Sequence, residues 1–216
     1  WNQIRPQRSC ADEMRSNASI RESVGQIGRI LNDGLDKREE IRGHGSEEQR
    51  GLARPIDDNE LLAIIMYTHD LRLPDDEEGN PVKAGNLYFE LNNALRARDA
   101  ASRRAMMNTW GPYVHYTLRG LGKLPDFAGL VYRGVPSRVE SDYTITRSVK
   151  WTAFISCTTS LDAAKEFIGG SDDGVIFRIT VTTGKVVTLL SLFPEEGEVL
   201  LWPGQRFVVT RAAYVE

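Results

Sequence analysis

Pro125 divides the chain into two textures, and that division constrains the fold more than any other feature. Before it, apolar residues recur at helical spacing. Ile20, Val24, Ile27, Leu31 and Leu35 lie four, three, four and four apart, which predicts an amphipathic helix over 20–41. Ser19 would cap it and Glu22 would complete a Ser-x-x-Glu box. A buried helix is expected over 60–71 behind a cap at Asp58. A second carries Leu87, Leu91, Ala94 and Leu95; a third, behind Ser102, carries Met106, Trp110, Val114 and Leu118. Gly111-Pro112 predicts that the third is kinked or split. After Pro125, β-branched and aromatic runs take over at 130–132, 151–157, 175–181, 186–192, 199–202 and 207–215, and only 161–167 reads as helix among them. Helices first and strands after predict an α+β domain: an N-terminal helical lobe followed by a mainly antiparallel β core.

The remaining stretches carry less pattern. Residues 1–19 are polar and aperiodic, and 42–51 has no apolar residue, so it reads as a linker. The expected organisation is an N-terminal helical appendage and linker at 1–50 and the main domain at 51–216. Residues 74–81 form an acidic loop whose spacing does not fit an EF-hand. The net charge of −3 supplies no global field for nucleic acid. No apolar run approaches the ~20 residues of a membrane span. His44, His69 and His115 are scattered, and Cys10 and Cys157 provide no zinc pattern, so no metal is expected. Two cysteines and no leader pattern favour a soluble intracellular protein, although a start at Trp1 points to a fragment or processed form.

Chemistry-bearing residues concentrate in Pro194-Glu195-Glu196-Gly197-Glu198, just before the apolar Val199-Leu200-Leu201-Trp202. In an extended segment Glu196 and Glu198 would share one face and Glu195 the other. Two carboxylates on one face repel, so the pair is either a solvated acidic turn or chemistry at a glycosidic bond. Upstream, Arg133-Gly134 ends the run 130–132; an Arg fork there suits phosphate, and Gly permits close approach to backbone. Ser156, Thr158, Thr159 and Ser160 cluster hydroxyls at another strand end, as ligand groups or as caps for the helix at 161–167. Phe167 precedes Gly169-Gly170, either as an aromatic at a loop mouth or as an ordinary core residue.

In this order the three motifs resemble the Arg–Ser–Glu-x-Glu pattern of mono-ADP-ribosyltransferases, in their cholera-toxin-like and vertebrate ecto-enzyme branch. The resemblance covers roughly 57–216. It implies two packed sheets with an NAD cleft, and NAD as substrate without a metal. Arg133 matches the arginine that grips the NAD phosphates and nicotinamide ribose. Gly134 matches the residue whose backbone holds the carboxamide. Ser156 matches the serine that hydrogen-bonds the catalytic glutamate, Glu198. Phe167 matches the aromatic that stacks on nicotinamide. Glu196 matches the first acid of Glu-x-Glu, the mark of arginine-modifying members, and Phe193 the acceptor-recognising aromatic. Cys157 and Thr158 depart from the Ser-Thr-Ser pattern.

The resemblance implies transfer of ADP-ribose from NAD to an arginine-bearing acceptor protein, as a toxin or an endogenous regulator. An NAD glycohydrolase on the same site and an inactive NAD-binding module are the competing expectations. Neither the acceptor nor the oligomeric state is readable.

Overall fold

The computed structural model describes residues 4–77, 82–136, 143–169 and 174–212. They fall into two compact units: one of residues 1–125 with 189–194, the other of 126–188 with 195–216. The division after Pro125 is the change of texture seen in the sequence.

The helical unit is built around one buried helix. Helices α1 (Cys10–Ser16), α2 (Ala18–Ser23), α3 (Ile27–Gly43) and α4 (Glu47–Ala53) precede α5 (Asp58–Tyr67); α6 (Leu87–Leu95) and α7 (Ala100–Lys123) follow. Every residue of α5 from Glu60 to Tyr67 is buried, with α1, α3, α6 and α7 packed around it. A helix apolar all round must be enclosed in this way. Its cap is Asp57 rather than Asp58: the Asp57 carboxylate accepts from Asn59 and Glu60 N–H groups, and Glu60 closes a capping box.

Several sequence expectations shift in this unit. The helix expected over 20–41 is two helices, because Val24 leaves the helical region and Gln26 takes a left-handed φ of 52°. Asn17, not Ser19, caps the first. Cys10 and Met14 are buried on α1, a short helix in the stretch read as aperiodic. The expected linker carries α4, set by a Ser46/Gln49 capping box, and α3 packs directly on α5. Asp99, not Ser102, caps α7, which runs unbroken through Pro112. Burial of Tyr113, Val114, Thr117 and Leu121 beyond the proline outweighs the one lost backbone bond. Of the acidic loop, Pro74 to Glu77 are exposed and without regular structure; 78–81 lie outside the described residues. Among the described residues no helix is long and apolar enough to cross a membrane.

Glu60 is the charged centre of this unit. It is fully buried and accepts from Arg119 Nε at 3.0 Å, from Lys123 Nζ and from the Asp57 N–H at 3.0 Å. Burial alone would raise its pKa, but these hydrogen bonds hold it below the ordinary carboxylate value. A depressed carboxylate contributes stability above its unfolded pKa and loses it as pH falls through the folded one. Glu60→Gln is therefore expected to cost about 2 kcal/mol at pH 7. The deficit should shrink as pH falls below 4.5, which urea melts at several pH values would measure.

The second unit is antiparallel throughout. Strands β1 (Phe127–Val135), β3 (Ile155–Thr158), β5 (Glu198–Leu201) and β4 (Val175–Val186) pair in a closed ring in that order; β2 (Ser148–Trp151) and β6 (Gln205–Val208) form a second sheet. Val131, Ile155, Cys157, Ile179, Val181 and Val199 are among the residues filling the ring, and Trp151 and Phe207 of the small sheet pack on them. Helix α8 (Leu161–Glu166) lies against β1 and β3, capped by Ser160. The run 151–157 is two strands, because the chain passes from one sheet to the other between Trp151 and Ile155. The run 186–192 is not a strand: β4 ends at Val186 and Thr188–Leu190 is a 3₁₀ turn. The end of the run 207–215, from residue 213, lies outside the described residues, as does Gly170.

Candidate functional site

Strand alternation gathers the site. On β3, Ile155 and Cys157 point into the core, so Ser156 and Thr158 take the other face. On β5, Val199 and Leu201 are core residues, which leaves Glu198 on the face of Ser156. The register pairs Thr158 with Glu198 and Ser156 with Leu200, making Ser156 and Glu198 diagonal neighbours. Ser156 Oγ donates to Glu198 Oε1 at 2.6 Å. Arg133, two residues before the end of β1, donates from Nη1 to the Ser156 carbonyl at 2.7 Å. Three motifs remote in sequence thus meet through two hydrogen bonds.

The alternation also accounts for Cys157. Its position demands a small apolar group, and burial pushes its thiol pKa up to about 12. Of the two departures from Ser-Thr-Ser, Cys157 falls on the core face, while Thr158 lies on the face shared by Ser156 and Glu198 and keeps a hydroxyl there.

Glu198 is 6% exposed, and its carboxyl pKa is pushed up to about 7. Burial is the largest cause; the bond from Ser156 opposes it, the Glu196 charge adds to it and Arg133 opposes it. A buried carboxylate set between an acid and a guanidinium is the kind of perturbed group that marks a reactive site.

Glu196 does not stand where the extended reading put it. It closes a 3₁₀ turn, Pro194–Glu196, and Gly197 turns the chain at a φ of 57° before β5 begins at Glu198. The left-handed residue removes the strict alternation that would set both side chains on one face. The two acids remain coupled, since the Glu196 charge raises the Glu198 pKa. Glu196 is half-buried and Glu195 exposed.

Gly134 and Phe167 come together through α8. A Cβ on Gly134 would lie 2.1 Å from the Ala164 carbonyl oxygen and 3.2 Å from Phe167 Cβ, so only glycine lets α8 seat on β1. Phe167 caps the C-terminus of α8 and is 45% exposed, not an ordinary core residue. An exposed ring beside Arg133-Gly134 is suited to a planar ligand.

Phe193 is counted with the helical unit. Its N–H donates to Ser191 Oγ at 2.9 Å, and Arg72 lies over its ring with Cζ 4.4 Å from the centroid. Sequence reading missed Arg72, which no local pattern connects to residue 193.

The chain matches the family described as NAD:arginine ADP-ribosyltransferase over residues 7–216. It is 31% identical over 171 residues to Mav, a Mycobacterium avium protein named for NAD(+)–arginine ADP-ribosyltransferase activity, covering 76% of this chain and 17% of that one. It is 28% identical over 214 residues to human ecto-ADP-ribosyltransferase 5, covering 94% of this chain and 66% of the relative. The chain thus spans less than two thirds of the length of either relative. Its fold is similar to that of the eukaryotic mono-ADP-ribosyltransferase ART2.2, with a TM-score of 0.68, 20% identity, and coverage of 95% of this chain and 78% of that one.

Proposed function

This chain belongs to the NAD:arginine ADP-ribosyltransferase family, and on that premise we propose that it transfers ADP-ribose from NAD to arginine side chains of an acceptor protein. The observation that carries the reading is the Arg133–Ser156–Glu198 chain of hydrogen bonds. Its polar groups suit a substrate bearing phosphates and a ribose: a guanidinium fork and a hydroxyl that donate and a carboxylate that accepts, with an exposed ring nearby.

In this reading Arg133 holds the diphosphate and nicotinamide ribose, and Phe167 stacks on the nicotinamide while the Gly134 backbone meets its carboxamide. The bond between nicotinamide nitrogen and ribose C1′ breaks with its electron pair going to nicotinamide, which leaves neutral. Positive charge grows on the ribose as it does so. Glu198, anchored by Ser156, faces that charge and accepts from the 2′-hydroxyl. Its geometry is set before substrate arrives, so no reorganisation is needed at the moment of bond cleavage. Glu196 then holds the acceptor guanidinium and takes the proton lost when its nitrogen bonds to C1′. The name of Mav supports transfer from NAD to arginine, and that of ecto-ADP-ribosyltransferase 5 supports ADP-ribosyl transfer.

The test is a product assay with NAD labelled in its adenosine part and agmatine as acceptor. ADP-ribosyl-agmatine with nicotinamide is the expected outcome. ADP-ribose alone would replace the reading with an NAD glycohydrolase, and no product would leave a binding module.

A further inference from the structure

The small sheet turns one face to the core and the other to solvent. Trp151 and Phe207 pack inward on the ring, so Ser148 and Lys150 of β2 and Arg206 and Val208 of β6 take the outer face, where all four are exposed. The register sets Lys150 directly opposite Arg206 and Ser148 opposite Val208. Pairing runs on beyond the strands: Thr146 N–H donates to the Val209 carbonyl at 2.8 Å and Val209 N–H to the Arg147 carbonyl at 3.0 Å, which keeps Ile145 at the Val208 end of the sheet.

Three features of this face point to an anionic partner. Like charges directly opposite each other destabilise a sheet, yet Lys150 and Arg206 stand so, and among the described residues neither makes an ion pair. Segments 143–151 and 203–212 contain Arg147, Lys150, Arg206 and Arg211 and no acid, in a chain whose acids outnumber its Lys and Arg by 30 to 27. Val208 at 63% and Ile145 at 55% are the most exposed large hydrophobic side chains among the described residues. Charge and apolar surface together fit an acidic polypeptide that carries aliphatic groups between its acids. A nucleic acid fits less well, because the rings on which a base would stack, Trp151 and Phe207, are packed on the core. An anionic bilayer calls for a cluster of about four to eight basic residues. The outer face of the two strands offers only Lys150 and Arg206.

We propose that the outer face of β2 and β6 is a docking surface for an acidic segment of the acceptor protein, separate from the target arginine. This rests on the proposed transfer to arginine and narrows its substrate class to acceptors that carry such a segment. Connectivity keeps the surface within reach of the site. β2 leads through residues 152–154 into β3, which holds Ser156, and β5, which begins at Glu198, leads through 202–204 into β6. Lys150 is six residues from Ser156, so their Cα atoms lie at most about 22 Å apart. An extended acceptor segment spans that distance with about seven residues. Docking raises the local concentration of the arginine without touching the reacting atoms, so it acts on the KM for the acceptor.

The test uses three synthetic peptides, each with one arginine joined by a flexible spacer of about ten residues to a tract of alternating Glu and Ala, Gln and Ala, or Lys and Ala. Two exposed ion pairs correspond to roughly a three- to tenfold effect on KM. Wild type is expected to show a KM lower by that factor for the Glu peptide than for the Gln peptide, an advantage that fades as salt approaches ~1 M. Lys150→Gln with Arg206→Gln should remove the advantage, and Lys150→Glu with Arg206→Glu should transfer it to the Lys peptide. In both double variants the agmatine KM, the KM for NAD and acceptor-free ADP-ribose release stay at wild-type values, with melting curves on the same samples to show that the fold is kept. Equal KM values for the three peptides in wild type overturn the docking surface and leave the proposed function standing, as does an advantage that survives the double Gln variant. Suppose instead that no peptide is favoured, but wild type binds phosphatidylserine vesicles or a single-stranded oligonucleotide and the double Gln variant does not. That polyanion then replaces the acidic polypeptide, and the proposal is again overturned. Wild-type protein that forms no agmatine adduct overturns the proposed function and this inference with it.

Discussion

Glu198→Gln is expected to lose adduct and free ADP-ribose together, by at least about 10²- to 10³-fold, while melting no lower than wild type at pH 8. The loss follows from charge. A glutamine keeps the shape and can still accept from Ser156, but presents no negative charge to the ribose as its bond to nicotinamide breaks. The stability half follows from linkage. Burial raises the Glu198 pKa from 4.5 to about 7, so the folded protein retains a proton that the unfolded chain gives up. Stability falls as pH rises from 4.5 toward 7 and stays reduced above, by up to roughly 3 kcal/mol for a shift of this size. The neutral variant escapes that cost, so its advantage should be greatest above pH 7 and vanish below 4.5. The same titration gives wild type a kcat/KM for NAD that rises with pH through an inflection near 7. Product chromatography and melts at pH 4.5 and 8 check both halves; near wild-type turnover would remove Glu198 from the site.

How far the sequence disclosed this site depends on what kind of geometry was at stake. Arg133, Ser156 and Glu198 were legible because each lies in a strand, and strand alternation carries a side chain to a face without tertiary information. The bond between Ser156 and Glu198 was expected only through the family resemblance, because local pattern says nothing of the pairing of β3 with β1 and β5 that brings the three together. Glu196 was read on the wrong geometry because Gly197 fits either a strand or a left-handed turn, and its choice depends on how the chain enters β5. The run 186–192 failed similarly. Val186, Val187, Leu189 and Leu190 have strand composition, but β4 ends at Val186, and Leu189 onward is counted with the helical unit. At Pro112 the local rule lost to burial on both sides. Arg72 over Phe193 is the extreme case: a contact between distant residues whose own neighbourhoods show a turn and a loop.

The last expected result concerns the acid that the turn moved off the strand. Glu196→Gln should lower transfer to agmatine by about 10²-fold or more, while hydrolysis to ADP-ribose falls by less than about tenfold. Glu198 and Ser156 keep their bond in this variant, so the nicotinamide bond still breaks. What is lost is the anion that holds the incoming guanidinium in a forked ion pair and accepts its proton; glutamine offers one acceptor oxygen and a repelling amide. The 3₁₀ turn strengthens this separation of roles, because Glu196 stands on the loop before β5 and Glu198 in the buried strand. Coupling between the acids adds a second signature. Removing the Glu196 charge removes one cause of the raised Glu198 pKa, so the residual hydrolysis should reach its plateau at a lower pH than wild type. The measurement is a two-channel product assay run from pH 5 to 9. Equal loss of both products would mean that the acids act as one unit in bond cleavage. Equal retention would make Glu196 a bystander in both reactions.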